Sequence, residues 1–138
     1  MKFVRKIKPF FIDERGEMSY LLDNSVSITS ALYITCKKGS IRANHYHKKD
    51  THYSYMLKGR MEYTYKNVKS QNSKVKIRPD TVGTKRKTII VNAGEIVETP
   101  PMTVHAMRFL EDSVFLALTT ESRDQDKYER DTIRVKLI

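Results

Sequence analysis

Gly39-Ser40-Ile41-Arg42-Ala43-Asn44-His45-Tyr46-His47-Lys48-Lys49-Asp50-Thr51-His52-Tyr53-Ser54-Tyr55-Met56-Leu57-Lys58-Gly59 is the stretch that decides the fold. His45 and His47 stand two apart, so on a strand both project from one face and can reach one point inside a barrel. Lys48 to Thr51 is long enough to turn the chain, so that His52 begins the neighbouring strand. His52–Leu57 and Arg60–Tyr65 then flank Lys58-Gly59 as two strands flank a tight turn. In the second of these, Met61, Tyr63 and Tyr65 share one face, while Glu62 and Thr64 take the other. His105, the fourth histidine, lies far away just past Pro100-Pro101 and joins the others only through folding.

Outward from that stretch the same pattern continues. Phe3 to Phe11 is mixed and partly extended, and Asp13-Glu14-Arg15-Gly16 makes a turn. Met18–Leu22 and Ala31–Cys36 are rich in aromatic and β-branched residues and read as strands. Thr88–Val91, Ile96–Thr99, His105–Phe109 and Val114–Leu118 follow, then a charged helical turn or two over Asp124–Arg130 and a final strand Thr132–Leu137. Many short strands at regular spacing give an all-β expectation, a small antiparallel barrel or jelly roll. The 138 residues, 39% of them hydrophobic, suit one domain spanning 1–138. No apolar run approaches the roughly 20 residues of a membrane span. Met1-Lys2-Phe3-Val4-Arg5-Lys6 runs into mixed polar sequence without a signal-peptide core, and the single Cys36 has no partner for a disulfide. A cytoplasmic protein is expected.

The formal net charge is +10, and it is concentrated. Between Lys66 and Lys87 eight Lys or Arg face Asp80 alone, a balance of +7, among Ser70, Gln71, Asn72, Ser73, Pro79 and Gly83. This segment, at about 66–87, reads as a basic loop or protruding hairpin. Such a run is usually a solvated surface; its sharper reading is attraction to an anion such as a nucleotide diphosphate. Nucleic acid is disfavoured, because no helix-turn-helix or zinc-finger pattern and no stacking aromatics within the run support it.

The histidine stretch resembles the first cupin motif, G-x5-H-x-H-x4-E-x6-G, with every spacing met and His52 where the family usually carries Glu. Gly94, Pro100 and His105 match the second motif, G-x5-P-x-G-x2-H-x3-N; Met102 replaces its second Gly and Phe109 its Asn. The resemblance implies the cupin jelly roll, a double-stranded β-helix, with His45, His47, His52 and His105 on the four metal-ligand positions. A cluster of neutral imidazoles suits a divalent transition metal (Zn, Ni, Fe or Cu) better than Mg or Ca. Metal-free cupins with motif histidines also exist.

A narrower resemblance covers roughly residues 1 to 135. Phe11-Ile12-Asp13-Glu14-Arg15-Gly16 is similar to the D-x-R-G element of cupin enzymes acting on nucleotide-linked keto sugars, the dTDP-4-dehydrorhamnose 3,5-epimerases and dTDP-4-keto-6-deoxyglucose 3,4-ketoisomerases. Arg42-Ala43-Asn44-His45-Tyr46 matches the epimerases' R-x-x-H-Y, in which Arg grips the diphosphate and His is the base. Pro100-Pro101-Met102-Thr103-Val104-His105 resembles the ketoisomerases' P-P-M-T-W-H, and Thr120 to Asp131 resembles their C-terminal segment. Arg42 to His47 also resembles the cupin half of capsular-polysaccharide sugar enzymes, which hold a metal. The resemblance implies an isomerase or epimerase of a nucleotide-linked 4-keto-6-deoxy sugar, in surface-polysaccharide biosynthesis. It also implies a homodimer that exchanges or pairs N-terminal strands.

A 4-keto sugar has acidified C–H bonds beside its carbonyl, so both reactions begin with proton removal and an enediolate. They need a base, an oxyanion stabiliser and an acid. The expected parts are His45 as base, a metal or Arg42 as stabiliser, and Tyr53, Tyr55, Tyr63 or Tyr65 as acid. Arg15 and Arg42 are the expected diphosphate clamps, one of them reaching from the partner chain. His45 cannot both ligate a metal and abstract a proton, and both roles stay open. The alternative function is a noncatalytic metal- or ligand-binding cupin or a metal-dependent dioxygenase.

Overall fold

A computed structural model describes residues 4–68 and 85–138. In chain order the elements are β1 (Val4–Lys6), β2 (Phe11–Asp13), β3 (Gly16–Met18), β4 (Ser30–Cys36), β5 (Ile41–His47), β6 (His52–Lys58), β7 (Arg60–Asn67), β8 (Lys87–Asn92), β9 (Glu95–Thr99), β10 (Thr103–Phe109), β11 (Ser113–Thr119), α1 (Gln125–Asp131) and β12 (Thr132–Arg134). Two five-stranded antiparallel sheets face each other, ordered β1-β9-β6-β11-β4 and β12-β5-β10-β7-β8, and β2 pairs with β3 as a separate hairpin. This is the expected jelly roll.

Strand alternation fills the space between the sheets. On β6 the buried positions are His52, Ser54 and Met56; on β11 they are Ser113, Phe115, Ala117 and Thr119. Met56, Met61, Val91, Val97, Phe109 and Phe115 are almost fully buried at one end. Each contributes about 1.5–3 kcal/mol of hydrophobic stabilisation. The other end is polar: His47, Asp50, His52, Thr99, His105 and Thr119 are buried there. The outer face of β10, Val104 and Ala106, is covered by Leu137 with Tyr46, Val135 and Ile138 packed around it.

The motif glycines have physical reasons. A Cβ on Gly59 would lie 2.1 Å from Ser113 Oγ and 2.7 Å from Ser113 Cα, and its φ is +90°. The β6–β7 turn therefore packs directly on the start of β11. Met102, standing where the second motif has Gly, keeps the left-handed conformation at φ 61°, which a side chain adopts at a cost of roughly 1–2 kcal/mol.

Two element expectations change. Met18–Leu22 is not a strand: β3 ends at Met18, having paired across the Asp13–Gly16 turn. The final strand stops at Arg134, because Val135 and Leu137 turn their N–H groups to the Asn44 backbone and side-chain oxygens instead of a ladder. Most of the basic segment at about 66–87 lies outside the described residues. Its flanks, β7 and β8, are antiparallel neighbours with Tyr65 opposite Lys87. Among the described residues no helix is long and apolar enough to cross a membrane.

Candidate active site

β5 carries His45 and His47, β6 carries His52 and β10 carries His105. His105 is registered directly opposite His45. Folding thus gathers all four rings at the polar end of the interior. Ring centroids lie 4.5 Å apart for His45–His47, 4.8 Å for His45–His105 and 4.3 Å for His47–His52.

Arg42 reaches the same place by a β-bulge. His105 pairs with His45 but Ala106 pairs with Ala43, so Asn44 is the extra residue in β5. Ala43 and Asn44 have φ of 71° and 54°. A regular strand puts residues three apart on opposite faces; the bulge restores Arg42 to the face of His45. The Asn44 amide holds the bulge by accepting from Leu137 and Ile138 N–H at 2.9 and 3.2 Å and donating to the Ile138 carbonyl at 3.3 Å. Arg42 spans to β4, donating from Nε to Cys36 Sγ and from Nη2 to the Thr35 carbonyl, both at 3.1 Å.

The cavity so formed has a volume of about 120 Å³, and its walls include Arg42, His45, His52, Ser54, His105, Arg123 and Tyr128. Arg123 and Tyr128 come from the segment around α1, with the Arg123 guanidinium 3.8 Å from the centre of the Tyr128 ring. Tyr128 in turn sits 5.5 Å from His47 and 6.4 Å from His45, ring to ring. A wider basic groove of about 360 Å³, lined by Lys48, Lys49, Lys127 and Arg130 together with Glu121 and Asp131, lies outside this cavity and contains none of the histidines.

Hydrogen bonds fix the tautomers. His105 Nδ1 lies 3.0 Å from the Thr103 carbonyl, so Nδ1 carries the proton and Nε2 the lone pair. Thr132 Oγ1 donates its one proton to the Tyr128 carbonyl at 2.6 Å, and therefore accepts from His47 Nδ1 at 3.2 Å. His47 Nε2 is left as a buried lone pair with no protein partner. His52 Nε2 is 2.7 Å from Asp50 Oδ2 and donates to it.

Three of the rings are held neutral. Burial, then the neighbouring imidazoles His105, His47 and His52, then Arg134, push His45 down to about 2. Burial followed by His52 and His105 takes His47 to about 3. Burial takes His105 to about 4 against the opposing pull of the Thr103 carbonyl. Burial also raises Asp50, but the hydrogen bonds from His52, Glu121 and Thr120 outweigh it and leave its carboxyl below the ordinary range.

The tyrosines separate. Tyr53 and Tyr55 occupy the face of β6 opposite His52 and Ser54, away from the cavity. Burial and Glu98 raise the Tyr53 phenol. Tyr63 is on the interior face, stacked 6.0 Å from His105 and hydrogen-bonded to Thr99 Oγ1, with burial pushing its phenol up. Tyr65 packs beside it against the core. Arg15 does not reach the cavity. It is 76% exposed on the β2–β3 turn and paired with Asp13 at 2.6 Å. Sequence reasoning missed Asp50, Ser54, Arg123 and Tyr128. The loop Lys48-Lys49-Asp50-Thr51 has the composition of a solvated turn, and nothing local marks a contact over 75 residues between Arg123 or Tyr128 and β5.

No protein-family profile matches the chain, and no curated protein matches it in sequence. Solved structures do. One is a double mutant of the QdtA 3,4-ketoisomerase from Thermoanaerobacterium thermosaccharolyticum in complex with TDP. It is 27% identical over 97% of this chain and 88% of that one, with a TM-score of 0.69. A second is dTDP-4-dehydrorhamnose 3,5-epimerase from Sulfolobus tokodaii, at 19% identity, 94% and 73% coverage and a TM-score of 0.69. A third is WlaRA, a TDP-fucose-3,4-ketoisomerase from Campylobacter jejuni, at 19%, 94% and 86%, and 0.70. The chain has the cupin fold of these sugar-nucleotide enzymes.

That likeness corrects the expected cofactor. The structures this chain resembles are of enzymes that work without a metal cofactor, so the histidine cluster is not evidence of Zn, Ni, Fe or Cu. The His52 Nε2 proton is engaged by Asp50 at 2.7 Å. Among the described residues the donor atoms fall into two triplets, His45/His47/His105 and His47/Asp50/His52, and no group holds all four histidines.

Proposed function

We propose that this protein is an isomerase or epimerase of a nucleotide-linked 4-keto-6-deoxy sugar. The observation that carries the reading is the bulge at Ala43–Asn44, which brings a diphosphate-competent Arg42 and a neutral His45 to one cavity. The likeness to ketoisomerase and epimerase structures supports it. A volume of about 120 Å³ takes no more than the sugar ring, since whole small-molecule sites run to roughly 300–1,000 Å³. The diphosphate and base then lie outside, where Arg42 and Arg123 supply positive charge.

With no metal on its lone pair, His45 is the proposed base. It removes the proton beside the carbonyl, and Arg42 or Arg123 stabilises the oxyanion. Arg15 serves only if its hairpin reaches a second copy. Phe10, Ile12, Met18 and Tyr20 of that hairpin region are 56%, 69%, 53% and 64% exposed, an apolar surface that supports the homodimer. The lone buried Cys36 fits a cytoplasmic enzyme. We read the chain as a single cupin domain.

Calorimetric titration with thymidine diphosphate tests this. Arg42→Ala is expected to weaken binding by about 1.5–3 kcal/mol, roughly 10- to 100-fold, as loss of a charged hydrogen bond does. Lys74→Ala, in the basic segment, is expected to bind as wild type does. No binding to wild type, or equal affinity in all three, would remove the assignment.

A further inference from the structure

Proton abstraction by His45 leaves a role unfilled, that of the group carrying the proton of the substrate oxygens. Tyr53 and Tyr55 face away, and Tyr63 has its hydroxyl bonded to Thr99. We propose that His52, held by Asp50, is that carrier, and that the reaction is therefore a keto migration between adjacent carbons. The inference rests on the proposed function and deepens it.

Asp50 is 2% exposed, and every side of its carboxylate is used. Oδ1 accepts from Thr120 N, Thr120 Oγ1 and Glu121 N at 3.0, 3.1 and 3.0 Å. Oδ2 accepts from His52 Nε2 at 2.7 Å. Three donors unrelated to His52 thus fix the carboxylate. The carboxylate fixes the ring with its proton on Nε2, so Nδ1 is the atom that exchanges protons. Among the described residues none of the other three imidazoles has a carboxylate within hydrogen-bond distance; the nearest approach is His47 Nδ1 to Asp131 Oδ2 at 3.9 Å. The other titratable rings around His52 are His47, stacked at 4.3 Å, and His105 at 6.5 Å. Among the described residues His52 is the one imidazole of the cluster hydrogen-bonded to a carboxylate.

The next inward residue of β6 shows where a substrate oxygen sits. Ser54 is 1% exposed, its Oγ has no protein partner, and it lines the same cavity as His52. A buried hydroxyl without a partner is destabilising, and an oxygen of the sugar would relieve it.

The proton balance closes. His45 takes the proton from the carbon beside the carbonyl, and the C–H pair becomes the C=C bond of an enediol. The carbonyl π pair moves onto its oxygen as an enediolate beside the cationic wall. His52 Nδ1 then takes the proton of the adjacent hydroxyl and passes it to that oxygen, and the electrons left on the former hydroxyl form the new carbonyl. The C=C pair then takes the proton from His45 at the former carbonyl carbon. Both rings end as they began, and no oxidant or other co-reactant enters.

The experiment uses TDP-4-keto-6-deoxyglucose in D2O with wild type, Asp50→Asn and His52→Gln, following conversion and deuterium entry by NMR. Asp50→Asn keeps an acceptor for Thr120 and Glu121, but its amide donates to Nε2 and moves the ring proton to Nδ1. His52→Gln leaves the Asp50 contacts to Thr120 and Glu121 intact, should the first variant fold poorly. Both are expected to lose about 10²- to 10⁴-fold in kcat, the range of general acid–base catalysis. KM and thymidine diphosphate affinity are expected to hold, and deuterium entry to rise relative to conversion. A merely structural role for Asp50 would not change that ratio. Wild-type kcat in His52→Gln, an unchanged ratio, or a wild-type product epimerised without keto migration would overturn the proposal. A wild type that neither binds thymidine diphosphate nor exchanges its substrate proton would instead bring down the proposed function, and this inference with it.

Discussion

Acidification is the perturbation that reports most directly on the histidine cavity. His45, His47 and His105 have folded-state values of about 2, 3 and 4, against about 6.5 in the unfolded chain. Because the folded values are depressed, the stability tied to these rings is whole above pH 6.5. It is lost as pH falls, since the unfolded chain takes up protons the folded one refuses. At pH 5.5 each fully excluded ring costs a little over 1 kcal/mol by this linkage. His47 and His105 are 2% and 1% exposed and carry the full amount; His45, half-buried, carries somewhat less. The sum is about 4 kcal/mol at pH 5.5, set against a typical total of about 5–15 kcal/mol. Asp50, whose value is also depressed, adds its loss at lower pH, as unfolded carboxylates begin to protonate.

Urea unfolding at pH 7.5, 6.5 and 5.5 measures this. The midpoint is expected to fall with acid at constant m-value, with about a quarter of the loss between the first two points and the rest between the last two. His105→Asn, whose amide can still donate to the Thr103 carbonyl, is expected to lose about a third of the slope, since it removes one of three titrating rings. Equal stability at pH 7.5 and 5.5 would refute the claim that the rings are held neutral. A full slope in His105→Asn would refute its assignment to them.

Two substitutions test the frame around the site by thermal or urea melting. Asn44→Gly keeps the left-handed backbone but loses three hydrogen bonds, and is expected to cost about 1–3 kcal/mol; Asn44→Ala adds strain of about 1 kcal/mol to that. An Asn44→Ala protein as stable as wild type would show that the bulge is not held by this amide. Gly59→Ala drives a Cβ into Ser113 at a positive φ and is expected to cost over about 3 kcal/mol, beyond ordinary overpacking. A loss well below 1 kcal/mol would mean that the β6–β7 turn moves aside easily.

The cupin frame was legible because its constraints are local. Two histidines at a spacing of two, a turn-length gap, and glycines at Gly39, Gly59 and Gly94 each encode a strand face or a backbone conformation. Met102 shows the limit of that code: the residue changed, yet its φ of 61° kept the motif's shape. Arg15 stays out of this chain's own cavity because a D-x-R-G element specifies a tight turn, and in this turn the guanidinium closes back on Asp13. The tyrosines were left undivided because Tyr53 and Tyr55 sit one and three residues beyond His52. That odd offset turns them to the other face of β6, and it was there to be read. Asp50 was not. Its donors come from Thr120 and Glu121, and no composition within Lys48–Thr51 announces them.

The charges around the cavity form an order that sequence alone could not supply. Cations stand at the wall in Arg42 and Arg123, the imidazoles lie inside, and the Asp50 carboxylate sits behind them. Arg134 lowers the proton affinity of His45, and Arg123 that of His47, after burial and the other rings have done most of it. A diphosphate bound at Arg42 and Arg123 would cancel part of the Arg123 field and set its own negative charge beside the cavity, where screening by water is weak. The histidines would then hold protons more readily when substrate is present than when it is absent. Under the proposed function, the charge that anchors the nucleotide also strengthens the base that attacks the sugar. A truncated keto sugar lacking the diphosphate should therefore lose kcat as well as affinity, whereas a clamp that only held the substrate would change KM alone.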